Sequence, residues 1–135
     1  MDRFRIVILS NQGGISLQAD NKGPKAYQTK AASFKSKVTA VFNQLDIPIS
    51  IYAATGKDIF RKPRTGMWEE LLDDYSISPD DLDLEHSIFV GDAGGREASA
   101  TKPKDFSCSD RYFSSSFCAY ITLTLSLGIL PPTWA

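Results

Sequence analysis

Arg5-Ile6-Val7-Ile8-Leu9-Ser10-Asn11-Gln12-Gly13-Gly14 is the stretch whose reading decides the fold. A short, β-branched, nearly continuous apolar run that stops at a polar, glycine-rich turn reads as a strand buried on both faces and ending in a loop. Outward from it the chain alternates. Residues 18–29 are polar, contain Gly23-Pro24 and are expected to form a loop. Phe34, Val38, Val41, Phe42 and Leu45 then recur at spacings of three and four, with Lys30, Lys35 and Lys37 on the other side, which predicts an amphipathic helix. After Pro48, Ile49-Ser50-Ile51-Tyr52-Ala53 reads as a second strand.

The pattern repeats once more. A polar turn over Thr55 to Asp58 leads to Phe60-Arg61-Lys62-Pro63, and Met67, Trp68, Leu71, Leu72 and Tyr75 mark a second helix with Glu69, Glu70, Asp73 and Asp74 outside. Ser78-Pro79-Asp80-Asp81 breaks it. Ser87-Ile88-Phe89-Val90 is the third strand and runs into Gly91-Asp92-Ala93-Gly94-Gly95-Arg96. Strand, helix, strand, helix, strand implies an α/β domain with a parallel sheet, helices on its faces and right-handed crossovers. Three polar loops then lie at the carboxyl ends of the strands, where open α/β sheets place their ligand sites.

Composition bounds the function. At 135 residues the chain has the length of about one domain. It has no cationic leader followed by an apolar stretch, and its longest apolar run is too short and too interrupted for a bilayer helix, so a soluble, intracellular protein without a membrane partner is expected. Cys108 and Cys118 are too few for a disulfide framework or a zinc site, and are expected as reduced thiols. His86, the single histidine, sits in an acidic stretch and is expected at the surface. Residues 1–66 hold 11 Lys and Arg against 4 Asp and Glu, and residues 67–135 hold 4 against 12. A basic half suits a phosphodiester ligand, because neutralised phosphates release counterions, although a solvated surface would carry the same charges.

The three loops bring a hydroxyl, a cation and a carboxylate into consideration together. Ser10 and Asn11 follow the first strand, Lys62 lies beyond the second, and Asp92 follows the third. A hydroxyl and nearby backbone N–H groups can bind phosphoryl oxygens, an ammonium can neutralise developing charge, and a carboxylate can hold Mg2+, a hard cation that prefers oxygen. Each signal alone also fits a turn, a surface charge or a helix cap.

Four segments, IVILSNQGGIS (6–16), FRKPRTGMWEELL (60–72), SIFVGDAGGR (87–96) and KDFSCSDRYF (104–113), resemble in order the blocks of the polynucleotide kinase 3'-phosphatase family of the haloacid-dehalogenase-like superfamily. The resemblance covers about residues 3–117. It implies a Rossmann-like fold and Mg2+-dependent removal of 3'-phosphates from DNA ends in strand-break repair, in the nucleus and alongside other DNA repair proteins. It also implies an aspartyl-phosphate intermediate, formed when an aspartate attacks phosphorus. By the same resemblance Ser10 and Lys62 are catalytic, Asn11, Gly13, Gly14 and Arg96 bind the substrate phosphate, and Asp92 and Asp110 serve the metal, Asp110 through a bound water. An ion pair of Asp110 with Arg111, or a helix cap, is the alternative.

Two departures stand out. The Asp-x-Asp-Gly-Thr string on the family's first strand, which carries the attacking aspartate, does not occur in the 135 residues, and Asp2 lies in the wrong place to replace it. The expectation is therefore a partial phosphatase domain over 1–117 that lacks its N-terminal strand, and a divergent tail over 118–135 outside the native core. A shifted reading frame, an unspliced intron or a divergent terminus would account for that tail. A catalytically inactive remnant that only binds DNA or a protein partner is the competing expectation. No Gly-x-x-x-x-Gly-Lys-Ser/Thr string is present, so the P-loop kinase that often accompanies this phosphatase is not part of the chain.

Overall fold

The structure is a computed structural model and describes residues 4–15, 25–117 and 120–123. Strand β1 (Ile6–Asn11) is followed by helix α1 (Lys25–Leu45), strand β2 (Ile49–Ala54), helix α2 (Gly66–Asp74), a 3-10 turn (Pro79–Asp81), strand β3 (Ile88–Gly91), helix α3 (Ser109–Ser115) and strand β4 (Tyr120–Leu123). The chain divides into two compact units, residues 1–71 and 72–135.

In the first unit β1 and β2 pair in parallel, from Ile6 opposite Ile49 to Asn11 opposite Ala54. The helix that joins them is the crossover a parallel pair requires. Expectation and structure differ on burial: β1 was expected to be buried on both faces, yet no residue of it is fully buried. Among the described residues it pairs with β2 alone, so it has a neighbouring strand on one side only. Helix α1 starts at Lys25, inside the segment expected as a loop, and half-buries Phe34, Val38 and Phe42 while Val41 and Leu45 stay exposed. Buried side chains of this unit include Ile15, Ala54, Met67 and Leu71.

In the second unit β3 and β4 form another parallel pair, Ile88 opposite Tyr120 through Gly91 opposite Leu123. Among the described residues each unit thus holds one parallel pair of strands. Helix α3 was not expected. Its sequence, Ser109 to Ser115, carries few good helix formers, and what holds it is Phe113, 1% exposed, whose ring lies 5.7 Å from that of Phe89 and 5.2 Å from that of Phe117. Strand β4 lies past residue 117, within the segment expected as a divergent tail, and pairs with β3. The rest of the expected tail, with Cys118, Leu125, Leu127 and Ile129, lies outside the described residues. Ser78 caps the 3-10 turn through its side chain, as a helix-breaking cluster should. No helix among the described residues is long and apolar enough to cross a membrane.

Candidate active site

In the first unit the end of β1 and the segment beyond β2 are joined by one side chain. Asn11 donates from Nδ2 to the Lys62 carbonyl at 3.0 Å and accepts the Lys62 amide on Oδ1 at 2.9 Å. A primary amide used this way mimics a backbone pair and fixes two loops 51 residues apart in sequence. Gln12 extends the strand ladder by donating its amide to the Ala54 carbonyl at 2.8 Å, and its side chain donates from Nε2 to Ser10 Oγ at 2.8 Å. Ile15 then turns back to the Gln12 carbonyl across Gly13 and Gly14. Ser10, Asn11, Gly13, Gly14 and Lys62 thereby lie on one pair of loops in the first unit.

The segment carrying Lys62 is itself braced. Asp58 accepts the Phe60 amide on its side chain and the Arg61 amide on its carbonyl, and that carbonyl also takes Arg64 Nη1 at 2.9 Å. Gly66 donates to the Ile59 carbonyl at 3.1 Å, closing a loop that leads into α2, and the Lys62-Pro63 bond is cis. A methyl group on Gly66 would lie 2.7 Å from that carbonyl oxygen, so the closure requires glycine. Beside these loops an open cleft of about 420 Å3 runs between β1 and α1, floored by Ile8, Ile15, Phe34 and Val38 and edged by Lys30 and Lys37.

In the second unit the loop after β3 is pinned by two carboxylates and a guanidinium. Asp110 is 4% exposed, and its Oδ2 accepts the amides of Asp92 at 3.2 Å and Ala93 at 3.0 Å. Asp105 Oδ2 accepts the amides of Gly94 at 3.1 Å and Arg96 at 3.0 Å as well as Arg96 Nε at 2.7 Å. The Asp105 amide returns a bond to the Arg96 carbonyl, and Arg96 Nη2 reaches the Asp92 carbonyl at 3.0 Å. Gly95 between them takes φ +69, a conformation that side chains avoid, and a methyl there would lie 2.7 Å from Cys108 Cβ. Hydrogen bonding to the Arg96 side chain, before any other influence, holds the Asp105 carboxyl below its ordinary pKa, and the same bond raises that of Arg96.

Asp110 Oδ2 spans the amides at the root of the Asp92 loop. Arg96 spends Nε and Nη2 on that same loop. Asp92 itself presents an exposed carboxylate. His86 is an exposed partner of Asp83, as a surface histidine should be, and Cys108 is a free, exposed thiol. Sequence reasoning passed over Arg61 and Gln12; the one signal for Arg61 was its place in a run of three cations, Arg61, Lys62 and Arg64, after β2.

A family model described as polynucleotide kinase 3 phosphatase matches residues 1–120. The chain belongs to the polynucleotide kinase 3'-phosphatase family. It is 41% identical over 115 residues to a bifunctional polynucleotide phosphatase/kinase of Schizosaccharomyces pombe, an alignment that covers 85% of this chain and 24% of that protein. It is 40% identical over 113 residues to an uncharacterized 20.8 kDa protein of Autographa californica nuclear polyhedrosis virus, covering 84% and 55% respectively. It is also 30% identical over 104 residues to the polynucleotide 3'-phosphatase ZDP of Arabidopsis thaliana, covering 70% and 14%. This family member therefore spans about a quarter of the fission yeast relative and about half of the viral one.

Proposed function

We propose that this chain supplies most of the catalytic core of a nuclear DNA 3'-phosphatase that acts on strand breaks, with a haloacid-dehalogenase-like fold. The observation that carries the reading is the reciprocal Asn11–Lys62 pair, which sets an ammonium-bearing residue against a glycine-rich loop headed by a serine. On this reading the Ser10 hydroxyl and the amides of Gly13 and Gly14 hold the phosphoryl oxygens, and Lys62 neutralises the charge that develops as phosphorus is attacked. Ser10 Oγ already accepts a hydrogen bond from Gln12 Nε2, which leaves its own O–H to point at an anion.

The donor set also fits a hard cation. Asp92 offers an exposed carboxylate on a loop held at its root by Asp110 and farther on by Asp105. Mg2+ keeps several waters and takes one or two carboxylates plus substrate phosphate, so a single exposed carboxylate can serve it. Asp92 would hold it, and the bound ion would offset phosphate charge; Asp110 would act behind Asp92, through the loop backbone or a water. Attack by an aspartate carboxylate on phosphorus, with cleavage of the P–O3' bond and protonation of the leaving oxygen, requires a nucleophile from outside these 135 residues. A non-catalytic role in binding DNA or a repair protein is the second reading, favoured by that same lack of an Asp-x-Asp-Gly-Thr string.

The test compares phosphate release from a 3'-phosphorylated oligonucleotide by this chain and by the chain preceded by a strand bearing Asp-x-Asp-Gly-Thr. The first should be inactive. The second should be active with Mg2+ and lose most activity on Lys62→Ala or Asp92→Ala, whereas an extended chain that binds DNA yet stays inactive would favour the second reading.

A further inference from the structure

Arg61 lies on the segment between β2 and α2, directly before Lys62. Its backbone is fixed on both sides, since its amide donates to the Asp58 carbonyl at 3.3 Å and its carbonyl accepts the Arg64 amide at 3.0 Å. The next residue, Lys62, is locked to Asn11. The side chain is thereby delivered onto the loop after β1: a methyl group on Gly13 would lie 3.1 Å from Arg61 Nη1 and 3.8 Å from both Cζ and Nη2. These atoms of the fork thus lie against Gly13, which has no side chain to keep them off.

Arg64 and Arg96 have structural partners, the Asp58 carbonyl and the Asp105 carboxylate. Arg61 is half-buried, and among the described residues its guanidinium has no carboxylate or side-chain hydrogen-bond partner. A half-buried guanidinium with no acid beside it can take up an anion through charge-assisted hydrogen bonds. Its planar fork matches two oxygens of a phosphate monoester, which a lysine ammonium beside it does not.

We infer that Arg61 is the residue that recognises the terminal phosphate, gripping two of its oxygens over Gly13 while Lys62 acts on the third side, so that it selects 3'-phosphate over 3'-hydroxyl ends. The inference rests on the phosphatase reading and deepens it by assigning end specificity to one side chain. A Cβ at position 13 would press on Arg61 Nη1, so the end of the fork would have to shift by a few tenths of an ångström.

The experiment measures affinity of the full 135-residue chain for two oligonucleotides of the same sequence, one ending in 3'-phosphate and one in 3'-hydroxyl, at fixed salt. The wild-type chain should prefer the phosphate. Arg61→Ala should lower that preference about tenfold, the size of a lost charge-assisted contact, while affinity for the hydroxyl end, which reports intact folding, changes little. Arg61→Lys should restore part of it, and Gly13→Ala should reduce it with the arginine still present. Equal losses for both ends on Arg61→Ala, with the preference retained, would overturn the inference and leave the phosphatase reading standing. A wild-type chain that binds both ends equally would overturn both.

Discussion

Replacing Asp110 by alanine should loosen the second unit, by an amount that can be worked from its bonds. Asp110 is 4% exposed and Ala93 2% exposed, so solvent does not readily take over the acceptor's place. The bond to the Ala93 amide at 3.0 Å has ordinary length, and that to the Asp92 amide at 3.2 Å is at the long end. Hydrogen bonds to a charged group contribute about 1.5–3 kcal/mol, and a buried donor left unmade costs about 1–3 kcal/mol. Counting the Ala93 bond fully and the longer one in part gives a loss of roughly 2–4 kcal/mol for Asp110→Ala. Asp110→Asn retains an uncharged acceptor and should lose about half of that. Urea denaturation followed by circular dichroism reads the loss, and hydrogen exchange at the Ala93 amide locates it. A drop below about 0.5 kcal/mol with Ala93 still protected would refute the reasoning, because an acidic residue that served only a metal would stabilise the metal-free fold when removed.

Phe113→Ala should cost about 3–5 kcal/mol, since the ring is almost wholly buried between Phe89 and Phe117, and a thermal melt would show whether it does. Gly66→Ala should destabilise by about 1–3 kcal/mol, because the new methyl meets the Ile59 carbonyl, a backbone atom that cannot swing away; an unchanged melting temperature would count against that closure. The Asp105 carboxyl is held below its ordinary value of 3.8, so its support of the 94–96 backbone is present above that value and lost as pH falls through the depressed one. Amide exchange at Gly94 and Arg96 should quicken over that window, relative to the intrinsic rate, and Asp105→Asn should abolish the pH dependence. Lys30→Glu with Lys37→Glu, at the edge of the cleft beside β1, should weaken oligonucleotide binding and flatten its salt dependence by about 0.7 log unit per lost phosphate contact; an unchanged slope would make these a solvated surface.

Much of the architecture was legible because it is written locally. The Ile6 to Leu9 run, the Ile49 strand and the Met67 to Leu72 stripe each carry their own period and their own stop signal, and the structure places elements there within a residue or two. Helix α1 begins earlier than its apolar stripe because Lys25 to Thr29 are tolerable helix formers with nothing apolar to announce them. Helix α3 was illegible for a related reason: Ser109 to Ser115 has weak propensity, and its helix depends on where Phe113 packs. The candidate site divides in the same way. Residue types in the loops after β1, β2 and β3 could be listed from sequence, but the Asn11–Lys62 lock, the Arg61 fork over Gly13 and the use of Asp110 on the Asp92 loop join residues far apart in the chain. No local pattern encodes such pairs.

The most direct test of the central claim is the end preference of phosphate release. A chain carrying an Asp-x-Asp-Gly-Thr strand ahead of residue 1 should release phosphate from a 3'-phosphorylated oligonucleotide in the presence of Mg2+, leave the same oligonucleotide phosphorylated at its 5' end intact, and stop on Lys62→Ala. Equal release from both ends, or release that survives Lys62→Ala, would contradict the account.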